Sequence, residues 1–331
     1  MIDRDNISQL PNQIVDIVDW PIFEEYEVYP VGARDKSLRI CPDPSPYEFC
    51  LTGHKYLFKE AIKSVRSPQE PRHPDQYWAE AIAFQIGRLM GASVPPTFIA
   101  FNSETGEPGT IIEWFIGYDP AIEERFSSGG DHMQAMIDGY DRDKGRQHNL
   151  MSIIALCRTL SGKSMLSHSW QEYWGLCLCF DALIGNTDRH QENWGLIWND
   201  DDGSVRLSPF FDNGTSLGHE LFPTRLAHYM LDETSLATYV TRGRHQMKWQ
   251  RHDDHRMPLV EGVLLYCKKY PQTIPLLKDR LNWDEEKLDE ILSLFTAFEI
   301  QSPLTAERAE FVHKLTIYRK RLLLNLLGNL G

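Results

Sequence analysis

Along residues 77–90 apolar side chains recur at Trp78, Ile82, Ile86 and Leu89, a spacing that predicts a helix burying one face. Gly91 stops it and Pro95-Pro96 prevents its continuation. On either side the period shortens to two. Residues 23–28, 47–51, 55–60, 97–101 and 110–115 read as strands, with Thr52-Gly53-His54 turning a hairpin and the polar 102–109 joining the last pair. From residue 150 onward the period lengthens again, predicting helices over 151–160, 169–184, 259–269, 275–281, 284–298 and 304–327, the fifth capped by Asp284. Two strand-like runs interrupt them, 194–198 and 204–209, across the turn-rich 199–203. The proline-rich 67–74 cannot be helix. Residues 117–145, with Ser127-Ser128-Gly129-Gly130 inside, read as a loop-broken crossing between a β-rich first part and a helical second part.

The same periods place individual polar groups. Lys59 falls on the strand face opposite Tyr56 and Phe58. Glu80 follows Trp78 by two residues and so leaves the apolar helix face by roughly 200°, toward solvent or toward a lysine partner. After the helix ending at Ile184 comes a short polar segment in which Asp188 and Asn193 stand five residues apart. A strand pair follows, and then Phe210-Phe211-Asp212-Asn213-Gly214. A carboxylate, an amide five residues on, a hairpin and a second carboxylate is the spacing of phosphoryl transfer in protein kinases. That chemistry needs positioning and charge neutralisation, and magnesium needs hard oxygen ligands. Taken singly, each of these residues could merely close a turn.

Asn186-x-Asp188-Arg189-His190-x-x-Asn193, followed by Ser208-Pro209-Phe210-Phe211-Asp212-Asn213-Gly214, resembles the catalytic and metal-binding segments of the HipA-like kinases. More remotely it is similar to phosphatidylinositol kinases, which share the Asp-Arg-His run. The resemblance implies an α+β, bilobal protein-kinase-like fold, with a mostly β N-lobe over 1–117 and a helical C-lobe over 118–331. It implies ATP- and Mg2+-dependent transfer of a phosphoryl group to a Ser/Thr hydroxyl of a protein substrate. Asp188 would orient and deprotonate the acceptor, with His190 as a rival base. Asn193 and Asp212 would hold magnesium. Lys59 would hold the α- and β-phosphates, with Lys63 a nearby competitor, and Glu80 would position Lys59. Gly32, Ala33, Lys36 and Ser37 would cover the phosphates, and Glu113, Trp114 and Phe115 would form the hinge that receives adenine.

HipA-like proteins often carry an autophosphorylated serine three positions before the loop glycine, where this chain has Tyr29. They frequently act as toxins held by an antitoxin, a partner the resemblance leaves open here; the residues before the phosphate loop are expected to be too few for the extra N-terminal subdomain many of them carry. Two other readings stay open: a phosphoinositide kinase, and a nucleotide-binding pseudokinase acting as a scaffold.

Composition narrows the field. A formal charge of −13 argues against broad nucleic-acid binding through phosphates. No apolar run is long enough to span a bilayer, and residues 1–20 carry acids where a signal peptide begins basic. The six cysteines show no paired spacing and read as reduced, buried residues of a cytoplasmic protein. Ser161-Gly162-Lys163-Ser164 lacks the earlier glycine and the preceding strand of a P-loop. Residues 242–251 form a locally basic, aromatic run, read as a solvated surface loop with an anionic-substrate receptor as the rival reading. His245, His252 and His255 with Asp253 and Asp254 match no standard metal site and read as an exposed polar loop.

Overall fold

The computed structural model describes residues 7–24, 36–60, 73 and 75–330. Most of the strand expected over 23–28, the phosphate-loop residues Gly32 and Ala33, Lys63, and most of the proline-rich connector lie outside the described residues.

The chain opens with β1 (Val15–Asp16), β2 (Lys36–Ile40) and β3 (Lys55–Glu60), then α1 (Gln76–Met90), β4 (Thr97–Phe101) and β5 (Pro108–Glu113). The strands form one sheet in the order β1-β4-β5-β3-β2, antiparallel except for β1 beside β4. Alternation along β3 sorts its side chains by face. Tyr56 and Phe58 enter a core with Val15, Trp20, Phe49, Phe98 and Ile111. Leu57 joins Leu38 and Ile112, its register partners on β2 and β5, on the opposite face.

The hairpin expected between 47–51 and 55–60 does not form; β3 pairs with β2 and β5 instead. Side chains have taken the backbone donors that a ladder would use. The N–H of Tyr47 donates to Ser45 Oγ at 3.2 Å, and that of Leu51 to the Tyr56 hydroxyl at 2.8 Å. Phe49 and Cys50 are consecutive and both buried, which a strand with one wet face does not allow.

Helix α1 also exceeds the one-faced expectation. Every residue over 76–84 is buried, because α1 packs on β4 and β5 from one side and on the C-terminal helices from the other. Trp78 meets Phe295 and Phe298 with ring centroids 5.8 and 6.0 Å away. Its indole N–H and the Tyr77 hydroxyl both donate to the Ser302 carbonyl.

Residues 117–145 are more ordered than a crossing loop. They hold β6 (Glu124–Ser128) and α2 (Gly129–Met136). Ser128 and Asp131 form a reciprocal capping box, so the Ser-Ser-Gly-Gly run is a helix start. Helices α3 (Leu150–Gly162) and α4 (Trp170–Ile184) follow, then β7 (Gly195–Asn199) and β8 (Val205–Leu207), which complete an antiparallel β6-β7-β8 sheet. Gly129 lies against the Trp194 indole, where an added Cβ would come within 2.1 Å of a ring carbon. Trp194 is 1% exposed and cannot retreat. Gly129→Ala is therefore expected to destabilise the fold by about 1–3 kcal/mol, measurable as a lowered urea midpoint; an unchanged midpoint would show that the indole can move.

The rest is helical: α5 (Pro223–Leu231), α6 (Glu233–Arg242), α7 (Leu259–Lys269), α8 (Ile274–Leu281), α9 (Glu286–Thr296) and α10 (Ala306–Gly328). Helix α4 is the centre of this half, buried at every residue over 177–184 and packed on α7, α8, α10 and α1. The basic run after α6 is not a solvated loop, since His245, Met247 and Met257 are buried and the two methionines belong to the main core. All six cysteines are buried. Among the described residues no helix is long and apolar enough to cross a membrane.

Candidate active site

The site is assembled around one buried arginine. Helix α4 ends where Gly185 adopts a left-handed φ of 72°, a turn glycine makes without a Cβ penalty. Asp181, one turn earlier and fully buried, faces back toward the loop that follows. Arg189 Nε and Nη2 donate to its two carboxylate oxygens at 3.1 and 2.7 Å. The same guanidinium donates to the carbonyls of Asn193 (3.0 Å) and Phe211 (2.6 Å) and to Asn213 Oδ1 (3.0 Å). One side chain thus ties the end of α4, the polar loop and the segment after β8 into a fixed arrangement. Burial works against the arginine's charge, and Asp181 more than offsets it, holding the group above its usual range.

The predicted residues are set on that frame. Asn186 Oδ1 accepts the Asp188 N–H at 2.9 Å, and Asn193 Nδ2 donates to the Asp188 carbonyl at 2.7 Å. The Asp188 carboxylate lies 3.5 Å from Gln246 Nε2. Burial raises its pKa; His190 opposes the rise, and the negative charge of Asp212 adds to it. Asp212 has a left-handed φ of 58°, a conformation that short polar side chains tolerate best after glycine. Its Oδ1 accepts from Lys59 Nζ at 2.9 Å across 153 positions of sequence. Glu80 Oε1 lies 3.7 Å from Lys59 Nζ and accepts the Asn213 N–H at 3.1 Å. Lys59 and Glu80 are 4% and 3% exposed, so of the two destinations open to Glu80 the structure takes the lysine.

The other predicted positions lie nearby or at the sheet edge. Lys36 and Ser37 begin β2, paired with Lys59 and Phe58, and the Ser37 hydroxyl accepts from Arg39 Nε. Glu113 is buried at the end of β5, its carboxylate accepting from the Tyr56 and Tyr118 hydroxyls. The Glu113 and Trp114 N–H groups donate to the Pro96 and Lys55 carbonyls. Of the three expected hinge residues, only Phe115 has an N–H with no acceptor among the described residues. Its ring stacks on Phe211 at 5.1 Å and on Trp114, which packs against the apolar Leu38-Leu57-Ile112 cluster. His190 sits on the other side of Asp188, its Nδ1 accepting the Glu192 N–H at 3.1 Å.

The donor set fits a hard divalent cation. The Asn193 amide nitrogen is engaged by Asp188, which leaves the oxygen as its ligating atom. Asp188 and Asp212 are near enough for one to raise the other's pKa, a concentration of negative charge that a cation would relieve. Among the described residues no group of three or more His, Cys, Asp or Glu is placed to hold a metal ion by itself. Magnesium needs no such cage when phosphates complete its shell.

Arg189 and Asp181 were legible as types but had no assigned role. Their signal is a lone acid inside an apolar helix, eight residues before an arginine. The sequence also hid the buried histidines behind the loop. Burial, then His190, His245 and Arg256, push His148 down to about 3; burial and Arg189, against Asp181, push His245 down to about 4. His245 Nδ1 is 3.9 Å from Asp181, yet that carboxylate is already bidentate to Arg189, so the imidazole stays neutral. Both histidines take up a proton on unfolding below their ordinary pKa of about 6.5. Their contribution to stability is full above that value and lost as pH falls toward 4 and then 3, at about 1.4 kcal/mol per pH unit for each. Urea unfolding between pH 6.5 and 4.5 should show this slope, reduced in His245→Asn; an identical slope in that variant would refute a neutral buried His245.

The sequence profile of the HipA-like C-terminal domain matches residues 31–267 of the chain. No curated protein matches it. Among solved structures, the proinflammatory kinase CtkA of Helicobacter pylori is similar over 96% of this chain and 97% of its own, at 15% identity and a TM-score of 0.69. HipA of Shewanella oneidensis, in a complex with HipB and operator DNA, covers 94% of this chain and 67% of its own at 12% identity and a TM-score of 0.43. The Golgi casein kinase with Mn/ADP bound covers 94% and 74% at 13% identity and a TM-score of 0.40. The likeness to CtkA establishes a kinase-like α+β fold.

Proposed function

The chain belongs to the family of HipA-like C-terminal domains, and from that premise we propose that it transfers the γ-phosphoryl group of ATP to a serine or threonine hydroxyl of a protein. The observation that supports this most is the meeting of Lys59, Glu80 and Asp212, from three distant segments, beside Asp188 and Asn193. The nucleotide would enter between the Leu38-Leu57-Ile112 face and Phe211, with the Phe115 N–H available to an adenine edge and the lobes dividing near residue 117.

Lys59 would meet the α- and β-phosphates, kept in place by Glu80 from behind. Asn193 Oδ1 and the Asp212 carboxylate would hold magnesium, which when bound neutralises charge between the phosphates. Asp188 accepts the proton of the acceptor hydroxyl as the new O–P bond forms and the bond to ADP breaks. His190 is less well oriented to take that proton. Its Nδ1 accepts the Glu192 N–H, so in the neutral ring the proton sits on Nε2, which can donate but not accept.

Incubating the pure chain with labelled ATP, magnesium or manganese, and a cell lysate should label discrete protein bands, and serine or threonine phosphate should be recovered from them. Absence of any ATP turnover with either metal would overturn the reading in favour of a scaffold.

A further inference from the structure

A cavity of about 650 Å3 lies next to Asp188, reached through its neighbours His190 and Gln246. Gln246 and His190 form its inner wall, and Gln246 is the side chain 3.5 Å from the Asp188 carboxylate. Arg142, Lys144 and Arg256 line it, with Asp143 and Glu192 as the acids. Arg142 is committed, bridging to Glu192 at 3.0 Å and Asp131 at 2.7 Å. The side chains of Lys144 and Arg256 are exposed and form no ion pair among the described residues. Two unpaired cations against one unpaired acid, in a chain of net charge −13, make this a local reversal of sign next to the proposed base.

The walls are fixed rather than floppy. The loop carrying Gln246 and Arg256 is closed by a bridge between Arg244 and Pro258, by His245 N–H to the Met257 carbonyl (2.8 Å), and by Met257 N–H to the Met247 carbonyl (3.0 Å). Met247 and Met257 are buried beneath it. The opposite wall is held by Gln191 Nε2, which donates to the Arg142 carbonyl. The backbone that carries the cations is thereby fixed, which spares binding the cost of ordering the loops themselves.

We propose that this cavity receives an anionic side chain of the acceptor protein, flanking the hydroxyl to be phosphorylated, and holds it with Arg256 and Lys144. The proposal rests on the kinase reading for the neighbouring carboxylates. Arg256 offers the planar fork suited to a carboxylate or phosphate, and Lys144 a point charge. An acidic protein drawn to an acidic enzyme requires such a local exception, which also guides the approach.

The test uses the full chain and fluorescein-labelled serine peptides that differ only in the flanking residues: glutamate, phosphoserine, glutamine or lysine. Binding is read by anisotropy and transfer by labelled ATP. The glutamate and phosphoserine peptides should bind roughly tenfold more tightly than the glutamine peptide, with the margin shrinking as salt rises. Which of the two is tighter identifies carboxylate or phosphate as the natural anion. Arg256→Glu with Lys144→Glu should reverse the order, favouring the lysine peptide. Equal binding of all peptides, or an order unchanged in the double variant, overturns the proposal. Charge-selective binding without transfer to any peptide would sink the kinase reading alone, and transfer without charge preference would sink the cavity alone. Transfer confined to phosphatidylinositol in vesicles would replace the protein acceptor by a lipid and overturn it as well.

Discussion

Asp212→Asn is expected to lower phosphoryl transfer by roughly a thousandfold or more while leaving the protein folded, the range seen when a charge-stabilising group is removed at the reacting centre. Asparagine suits this test because it accepts the left-handed φ of 58° at this position. The backbone that carries Asn213 to Glu80, and Arg189 to the Phe211 carbonyl, is then undisturbed. Only the carboxylate is lost, and with it the strongest contact of Lys59. The change also removes the negative neighbour that raises the Asp188 pKa, so Asp188 becomes a weaker base as well as losing the metal opposite it. Steady-state assay with magnesium and a circular dichroism melt together check this. A folded variant with full activity would remove Asp212 from the chemistry, and the proposed metal site with it.

Arg189→Met should do more damage to the fold than any change at the reacting groups. Asp181 is fully buried, and deleting its partner leaves the carboxylate with only His245, 3.9 Å away, to answer its charge, a loss of about 3–5 kcal/mol. Arg189→Lys should rescue little, since an ammonium cannot reproduce the fork that reaches Asp181, two carbonyls and Asn213 together. Removing both charges separates stability from function. Arg189→Met with Asp181→Leu should regain much of the stability but not transfer, because Asp188, Asn193 and Asp212 would still lack their common anchor. Equal recovery of both properties in the double variant would show that the arginine serves only the core.

How much of this could be read in advance depended on how local the cause was. Helices α4 and α7 through α10 were legible because their spacing and end residues carry the information within one element. The aspartates and asparagine of the site were legible because their spacing is short and tied to one chemistry. The pairing of β3 was not, since the turn at Thr52-Gly53-His54 looks like a hairpin until the Ser45 and Tyr56 hydroxyls take the neighbouring donors. The loop after α6 misled in the opposite direction. Arg244, Lys248 and Arg251 give it a solvated composition, while His245, Met247 and Met257 plant it in the core. Glu80 had two destinations on a helical wheel, and only the arrival of Asn213 and Lys59 from elsewhere selects one.

The enclosure of α1 limits how this chain can be governed. In kinases that switch by swinging the helix that bears the glutamate, that helix rides on the surface and the ion pair opens and closes with it. Here the same movement would drag Trp78, Ile82 and Met90 out of a shared interior, at about 1.5–3 kcal/mol for each of Ile82 and Met90 exposed. The Lys59–Glu80 contact is therefore backed by the packing of α1 on both sides. On the proposed kinase reading, control is expected to act on what enters the cleft more than on whether the cleft is assembled.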